Sequence, residues 1–218
     1  SDDPSQYVPI LLELTDFNVT KITDEDKQRG KMYLEQRQRV ELQKTSPDLH
    51  EYLKKLNIKL FIKDADEFSI PRISQLTLKT NQFNLTTKRY QEEDIKNFSN
   101  NDKKIVGCAR VEDKFGDNGI TGVFIVDKEN NNEWIIDTFL LSCRVIGRGI
   151  EEGIMNHILS LAKKENIDKI TANFLPTKKN QPAESFLPTF GFIKENDRFV
   201  YNVKNFIEKT SHLEIFDE

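Results

Sequence analysis

The residues best suited to chemistry form one short run, Arg144-Val145-Ile146-Gly147-Arg148-Gly149. It lies between an apolar stretch ending near Cys143 and a stretch with Ile150, Ile154, Ile158 and Leu161 at helical spacing. Glycines let the backbone come close to a ligand. Free amide hydrogens at a helix N-terminus, with the positive end of its dipole, accept a phosphate without any side chain. Arg144 and Arg148 add charge. Strand, glycine loop and amphipathic helix together predict an anion site. The competing reading is a tight turn with solvated arginines.

Other groups surround this run in the chain. Cys143 is a nucleophile if a neighbouring cation lowers its pKa, or else a buried structural thiol. Asp117-Asn118-Gly119 has the chemistry of a hairpin turn. If its flanking strands run antiparallel to the strand ending near Cys143, that turn borders the loop. Asp117 is then a candidate catalytic group and Asn118 a candidate substrate ligand, although a turn needs neither role. Asp137 offers a general base acting through water, or a satisfied strand carboxylate. Asn81, Gln82 and Asn84 could line a substrate cleft, or cap a turn between helices. His50, His157 and His212 lack metal-ligand spacing, and no metal is expected. Asp64-Ala65-Asp66 after an apolar strand has the outline of a haloacid-dehalogenase nucleophile motif. Phe68 and the lack of a following Lys and paired Asp for Mg²⁺ make it an ordinary turn.

Arg-x-x-Gly-x-Gly between a strand and a helix resembles the acetyl-CoA signature of GNAT acetyltransferases. A second stretch, Asn180-Gln181-Pro182-Ala183 with Phe186-Leu187 and Gly191-Phe192, resembles their late motif. The resemblance implies a mixed, mainly antiparallel sheet flanked by helices, an α/β (α+β) fold. It assigns acetyl-CoA or CoA binding to Leu141, Cys143, Arg144, Val145, Gly147, Arg148, Gly149, Ile150 and Asn180. Leu187 stands where many of those enzymes carry a Tyr that protonates the leaving thiolate.

A closer resemblance, to the C-terminal half of FkbH-like proteins, rests on four stretches. They are Gln75-Leu76, Lys79-Thr80-Asn81-Gln82-Phe83-Asn84-Leu85-Thr86-Thr87, Phe115-Gly116-Asp117-Asn118-Gly119 and Asp137-Thr138-Phe139-Leu140-Leu141-Ser142-Cys143-Arg144-Val145. It implies an upstream haloacid-dehalogenase-like domain and an acyl carrier protein as partners. It also implies carrier-bound phosphopantetheine as a ligand and glyceryl transfer for polyketide extender units as the function. The alternatives are a free-standing acetyl-CoA-dependent N-acetyltransferase and a non-catalytic carrier-docking module. Residues 1–56 read as a helical linker after the upstream domain, and 57–218 as the GNAT-like domain.

The elements that must position these groups follow from pattern. A polar helix opens near Thr23 and runs to about Leu42, with too few apolar residues for a core element. Ser46-Pro47-Asp48 opens another, with the Ser46 hydroxyl as cap, Pro47 at the first helical position, and Leu49, Tyr52, Leu53 and Leu56 on one face. Ile58–Lys63 alternates as a strand. Pro71–Leu85 and Thr87–Phe98 read as helices. Ile105–Val111, Ile120–Val126 and Trp134–Leu141 form an antiparallel meander. A helix over Gly149–Lys164, a strand over Lys169–Phe174, a short helix near Pro182 and strands near Phe192 and Phe199–Val203 complete the order.

Composition agrees with a folded, soluble chain: 37% hydrophobic, 31% charged, 15 Phe and a mean hydropathy of -0.60 over 218 residues. A net charge of -4 without long basic runs argues against nucleic acid. No apolar stretch reaches the ~20 residues of a membrane span. Cys108 and Cys143 sit in apolar runs rather than a disulfide framework, so a cytoplasmic location is expected. Asn18, Asn84 and Asn97 head sequons read as chance.

Overall fold

The computed structural model describes residues 24–130, 132–208 and 212–218. The described residues begin with α1 (Asp24–Thr45) and α2 (Leu49–Leu56), then β1 (Lys59–Asp64), α3 (Ile70–Lys79), β2 (Phe83–Asn84) and α4 (Glu92–Ser99). The meander follows as β3 (Lys104–Asp113), β4 (Gly116–Asn130) and β5 (Glu133–Leu141). After it come α5 (Ile150–Lys164), β6 (Lys169–Ala172), α6 (Gln181–Glu184), α7 (Phe186–Phe190), β7 (Ile193–Glu195), β8 (Arg198–Asn202) and β9 (Glu214–Asp217). These strands make one sheet in the order β7-β8-β6-β5-β4-β3-β1-β9, with β2 added beside β5. Only β5/β6 and β1/β9 are parallel among its pairs. The expected mixed, mainly antiparallel sheet flanked by helices is the observed one, and the three meander strands pair in sequence.

Strand alternation sorts the core into two layers. Val106, Cys108, Val123, Ile125 and Leu140 face α3 and α4, where they meet Ile70, Ile73, Leu76 and Ile95. Phe124, Val126, Trp134, Ile136, Phe139 and Leu141 face the other way, onto Ile150, Ile154, Met155, Ile158 and Ala162 of α5. Successive side chains of a strand point to opposite faces, so a continuous apolar run feeds both layers. Gly107 makes room for Phe124 opposite it, since a Cβ there would lie 2.0 Å from that ring. Burial pushes the Cys108 thiol up to about 11, the behaviour of an inert core cysteine.

Three expectations are corrected and one strand is added. The helix expected to Leu85 stops at Lys79, and Phe83–Asn84 extends instead, because the edge of β5 captures it. Asp117-Asn118-Gly119 is not the hairpin turn. The reversal falls at Lys114-Phe115, between the paired Asp113 and Gly116, and the register slips between Arg110/Ile120 and Glu112/Asp117. Val111 thus faces an extra residue, a β-bulge with Gly119 at φ 67°. The cap of α2 is Asp48, whose carboxylate accepts from Glu51 N at 2.9 Å, while Ser46 bonds back to Leu42 O. Finally, β9 closes the sheet beside β1, where Phe61 and Phe216 stack at 4.9 Å. Asp64-Ala65-Asp66 is a turn as expected. Asp66 accepts from Lys63 Nζ and Ser69 N, and the Lys63 bond holds its carboxyl near 2. The apolar stretch at residues 7–14 lies outside the described residues.

Residues 24–56 do not stand apart from the sheet. Tyr52 and Leu56 belong to the main core, and polar α1 docks through buried charge rather than apolar area. Its Glu35 and Arg39, one turn apart, are 6% and 2% exposed. Arg39 donates to both oxygens of Asp113, at 2.7 and 2.9 Å, and Arg148 donates to the same carboxylate at 3.2 Å. Asp113 also accepts from the amides of Phe115 and Gly116, so one carboxylate ties α1, the β3–β4 turn and the loop before α5 together. Asp113→Ala would leave Arg148 buried without a carboxylate and Arg39 with only Glu35, 3.7 Å away. We expect it to destabilise the fold by about 3–5 kcal/mol in urea denaturation, with Asp113→Asn intermediate.

Candidate active-site cleft

A cleft of about 1250 Å³ opens where β5 ends. Ser142, Cys143 and Arg144 lie on one side, the β4 bulge (Asp117–Ile120) on another, and Arg72, Leu76, Lys79, Thr80, Asn81 and Gln82 from α3 and the segment after it on a third. Lys31, Met32 and Glu35 of α1 and Lys178-Lys179 complete the wall. Of the residues expected at a site, Asn81, Gln82, Asp117, Asn118, Cys143 and Arg144 therefore share one cavity. The bulge achieves this for Asn118, since an extra residue in one strand re-aims the side chains around it. Cys143 is exposed in the cleft, so the buried structural reading of this thiol does not apply.

The cleft is basic. Among the described residues, Lys31, Arg72, Lys79, Arg144, Lys178 and Lys179 line it against Glu35 and Asp117. Glu35 lies 3.7 Å from Arg39 and 3.8 Å from Lys31, and Asp117 lies 3.1 Å from Arg110 and accepts from Gly119 N. Both acids are therefore committed elsewhere. In the sequence Lys178-Lys179 reads as a solvated surface pair and Arg72 carries no signal, since nothing there shows which surface cations converge.

Other expected residues lie outside the cleft. Asp137 accepts from Tyr90 Oη at 2.7 Å and Thr138 Oγ1 at 2.9 Å and pairs with Lys88, so its oxygens are already in use. Burial, and then this carboxylate, raise the Tyr90 pKa. Arg148 is 6% exposed and held by Asp113, with its proton affinity lowered by burial. Gly147 and Gly149 take positive φ, 76° and 79°, and form the turn into α5, while Leu141, Val145 and Ile150 are core residues. Among the described residues, no group of three or more His, Cys, Asp or Glu side chains is placed to hold a metal, and no helix is long and apolar enough to cross a membrane.

Two features a phosphate-bearing cofactor would use are occupied by the chain itself. At the start of α5 the half-buried Glu151 carboxylate lies beside the backbone amides of Gly147 and Glu151. Burial nevertheless pushes its pKa up, helped by the neighbouring Glu152, and its Oε2 has no partner. The second feature is the edge of β5. Pairing with β6 ends at Ile136/Ala172, and beyond it Phe83 and Asn84 pair with Leu141 and Leu140. Leu85 N donates to Phe139 O at 3.1 Å, Leu175 N to Leu85 O at 2.8 Å, and Thr86 Oγ1 to Asp137 O at 2.9 Å. Asn180, 0% exposed, fastens this wedge, donating Nδ2 to Asn84 O and Leu175 O, each at 2.9 Å. Asn84 is equally buried, and its Oδ1 accepts from Thr87 N at 2.8 Å.

The Glu151 carboxyl gives a pH test. Its folded pKa lies above the ordinary 4.5, so the folded chain binds this proton more tightly than the unfolded one. That contribution to stability is complete at low pH and is lost as pH rises from 4.5 through the folded value. Glu151→Gln should match the parent in acid and exceed it in stability above that window. Urea unfolding of both proteins from about pH 4 to about pH 8 checks this, and parallel curves would contradict it.

Neither a known sequence family nor a curated protein matches the chain in sequence. Solved structures do match in shape. The GNAT domain of S. lividans PAT is 15% identical, with a TM-score of 0.51 over 65% of this chain and 89% of that one. Spermidine N-acetyltransferase from Vibrio cholerae, in complex with CoA and spermine, is 12% identical, with a TM-score of 0.52 over 67% of this chain and 96% of that one. A domain from Methanocaldococcus jannaschii is 13% identical, with a TM-score of 0.52 over 66% and 97%. At these identities the likeness is one of architecture: the chain has the fold of the GNAT acetyltransferases.

Proposed function

We propose that this chain is an acyl-transfer domain that takes its acyl group from a phosphopantetheine thioester, presented by an acyl carrier protein. The observation that carries the reading is the exposed Cys143 thiol at the end of β5, inside a basic cleft. A thioester carbonyl reaching that point meets a thiol that can attack it. The Cys143 sulfur forms the new C–S bond, the pantetheine sulfur leaves, and the thiol proton passes to the leaving group. Surrounding cations stabilise the oxyanion of the tetrahedral intermediate.

Carrier-bound rather than free coenzyme A is favoured by the occupied features. The wedge at Phe83–Thr86 already uses the β5 backbone that an extended amide-bearing arm would pair with, and the Glu151 carboxylate already stands at the helix start where a phosphate would go. An arm entering the cleft end-on from a docked carrier needs neither. In this reading, which also draws on the FkbH-like stretches, the acyl group is a glyceryl unit supplied by an upstream haloacid-dehalogenase-like domain.

The fold equally suits a free-standing N-acetyltransferase using acetyl-CoA, as the CoA-bound Vibrio cholerae relative illustrates. A polyamine acceptor such as that enzyme's is disfavoured here, because the cations of the cleft repel it.

Intact-mass analysis after incubation with S-acetyl-pantetheine, acetyl-CoA and acetyl-holo carrier protein tests the proposal. We expect an acyl adduct on Cys143, fastest from the carrier, with Cys143→Ser slowing transfer more than about a thousandfold. Transfer at the parent rate in Cys143→Ser would remove the thiol from the mechanism. No acylation from any of the three donors would overturn the acyl-transfer reading.

A further inference from the structure

Two guanidinium groups in the cleft wall have no carboxylate beside them among the described residues. Arg72, on the first turn of α3, is half-buried and bonds only to neutral acceptors, the Ile120 carbonyl at 3.3 Å and the Gln75 side chain. Arg144 donates to Ser142 Oγ at 3.4 Å and to the Met32 sulfur at 3.3 Å, both weak acceptors for a full charge. After burial, the charge of Arg144 is what lowers the proton affinity of Arg72, so the two groups feel each other directly. Among the described residues neither is ion-paired, because the acids of the cleft are held by Lys31, Arg39 and Arg110. Beside them Asn118, 6% exposed, lines the same cavity with an Nδ2 that has no partner.

Like charges gathered in a half-buried wall repel, and a buried donor without an acceptor is unfavourable. One small anion relieves both, since guanidinium forks match the oxygens of phosphate and carboxylate groups. We propose that the cleft binds an oxyanion of its ligand between Arg72 and Arg144, with Asn118 as a further donor. This deepens the acyl-transfer reading by naming the ligand's charged group, and it rests on that reading only for which molecule carries the group. A phosphate belongs to the pantetheine arm, and a carboxylate to the acyl group or its acceptor.

Calorimetric titration of the whole chain at constant ionic strength separates the sources, with inorganic phosphate, malonate, 4′-phosphopantetheine and pantetheine as probes. We expect saturable binding of at least one anion and none comparable for pantetheine. 4′-Phosphopantetheine binding at least about tenfold tighter than pantetheine assigns the site to the arm, and preference for malonate assigns it to a carboxylate. Arg72→Gln and Arg144→Gln should each weaken the preferred anion about tenfold or more, and Arg72→Lys should recover part of the loss. Lys54→Gln on α2, which removes the same charge elsewhere, should leave binding intact. Unfolding curves verify that each variant is folded. No anion binding by the parent, or undiminished binding in both Gln variants, overturns the proposal. Anion binding without acylation of Cys143 would instead leave the site standing and remove the transfer reading.

Discussion

Beyond Ile136 the backbone of β5 loses its parallel neighbour, because β6 ends at Ala172, yet residues 137–141 remain buried. A buried peptide group without a partner costs about 1–3 kcal/mol, so this edge must be satisfied from somewhere. Phe83 to Thr86 satisfies it, with Leu175 and Asn180 closing the outer side of the wedge. That pairing sets where α3 stops and delivers Thr80, Asn81 and Gln82 to the rim of the cleft. The cavity therefore opens where the strands diverge, at the end of β5.

The opposite wall depends on charge rather than on apolar area. Helix α1 presents few hydrophobic side chains to the sheet, and Tyr33 and Leu34 are exposed at 72% and 66%. What holds it is Arg39 on Asp113, in a carboxylate shared with Arg148. Two buried cations on one acid are tolerable because the backbone amides of Phe115 and Gly116 complete its coordination and Glu35 lies near Arg39. Such an arrangement is specific in geometry, which suits a helix that must bring Met32 beside Arg144.

Positive charge is consequently distributed in an informative way. Arg148 is neutralised by the fold, and the start of α5 is neutralised by Glu151, whereas Arg72 and Arg144 are not neutralised among the described residues. Charge that the fold leaves unbalanced at a cavity is charge available to a ligand. Here that points away from the glycine loop and toward the cleft mouth beside Cys143.

Much of this was legible in residue order. The meander follows from its three apolar runs and α5 from Ile150, Ile154 and Ile158, and antiparallel pairing places Asp117 and Asn118 at the sheet end of Cys143 and Arg144, although the reversal at Lys114-Phe115 and the bulge that aims Asn118 were not legible. Local pattern could not assign Phe83–Asn84, because a two-residue strand has no periodicity and exists only through the edge it meets. Nor could it distinguish Arg144 from Arg148, separated by four residues in one loop: Asp113, far away in sequence, takes the second and leaves the first. Periodicity and turn chemistry are properties of neighbours along the chain, so the sequence by itself determined the elements and their order. Which polar groups are already satisfied is a property of neighbours in space, and only the tertiary structure decided it.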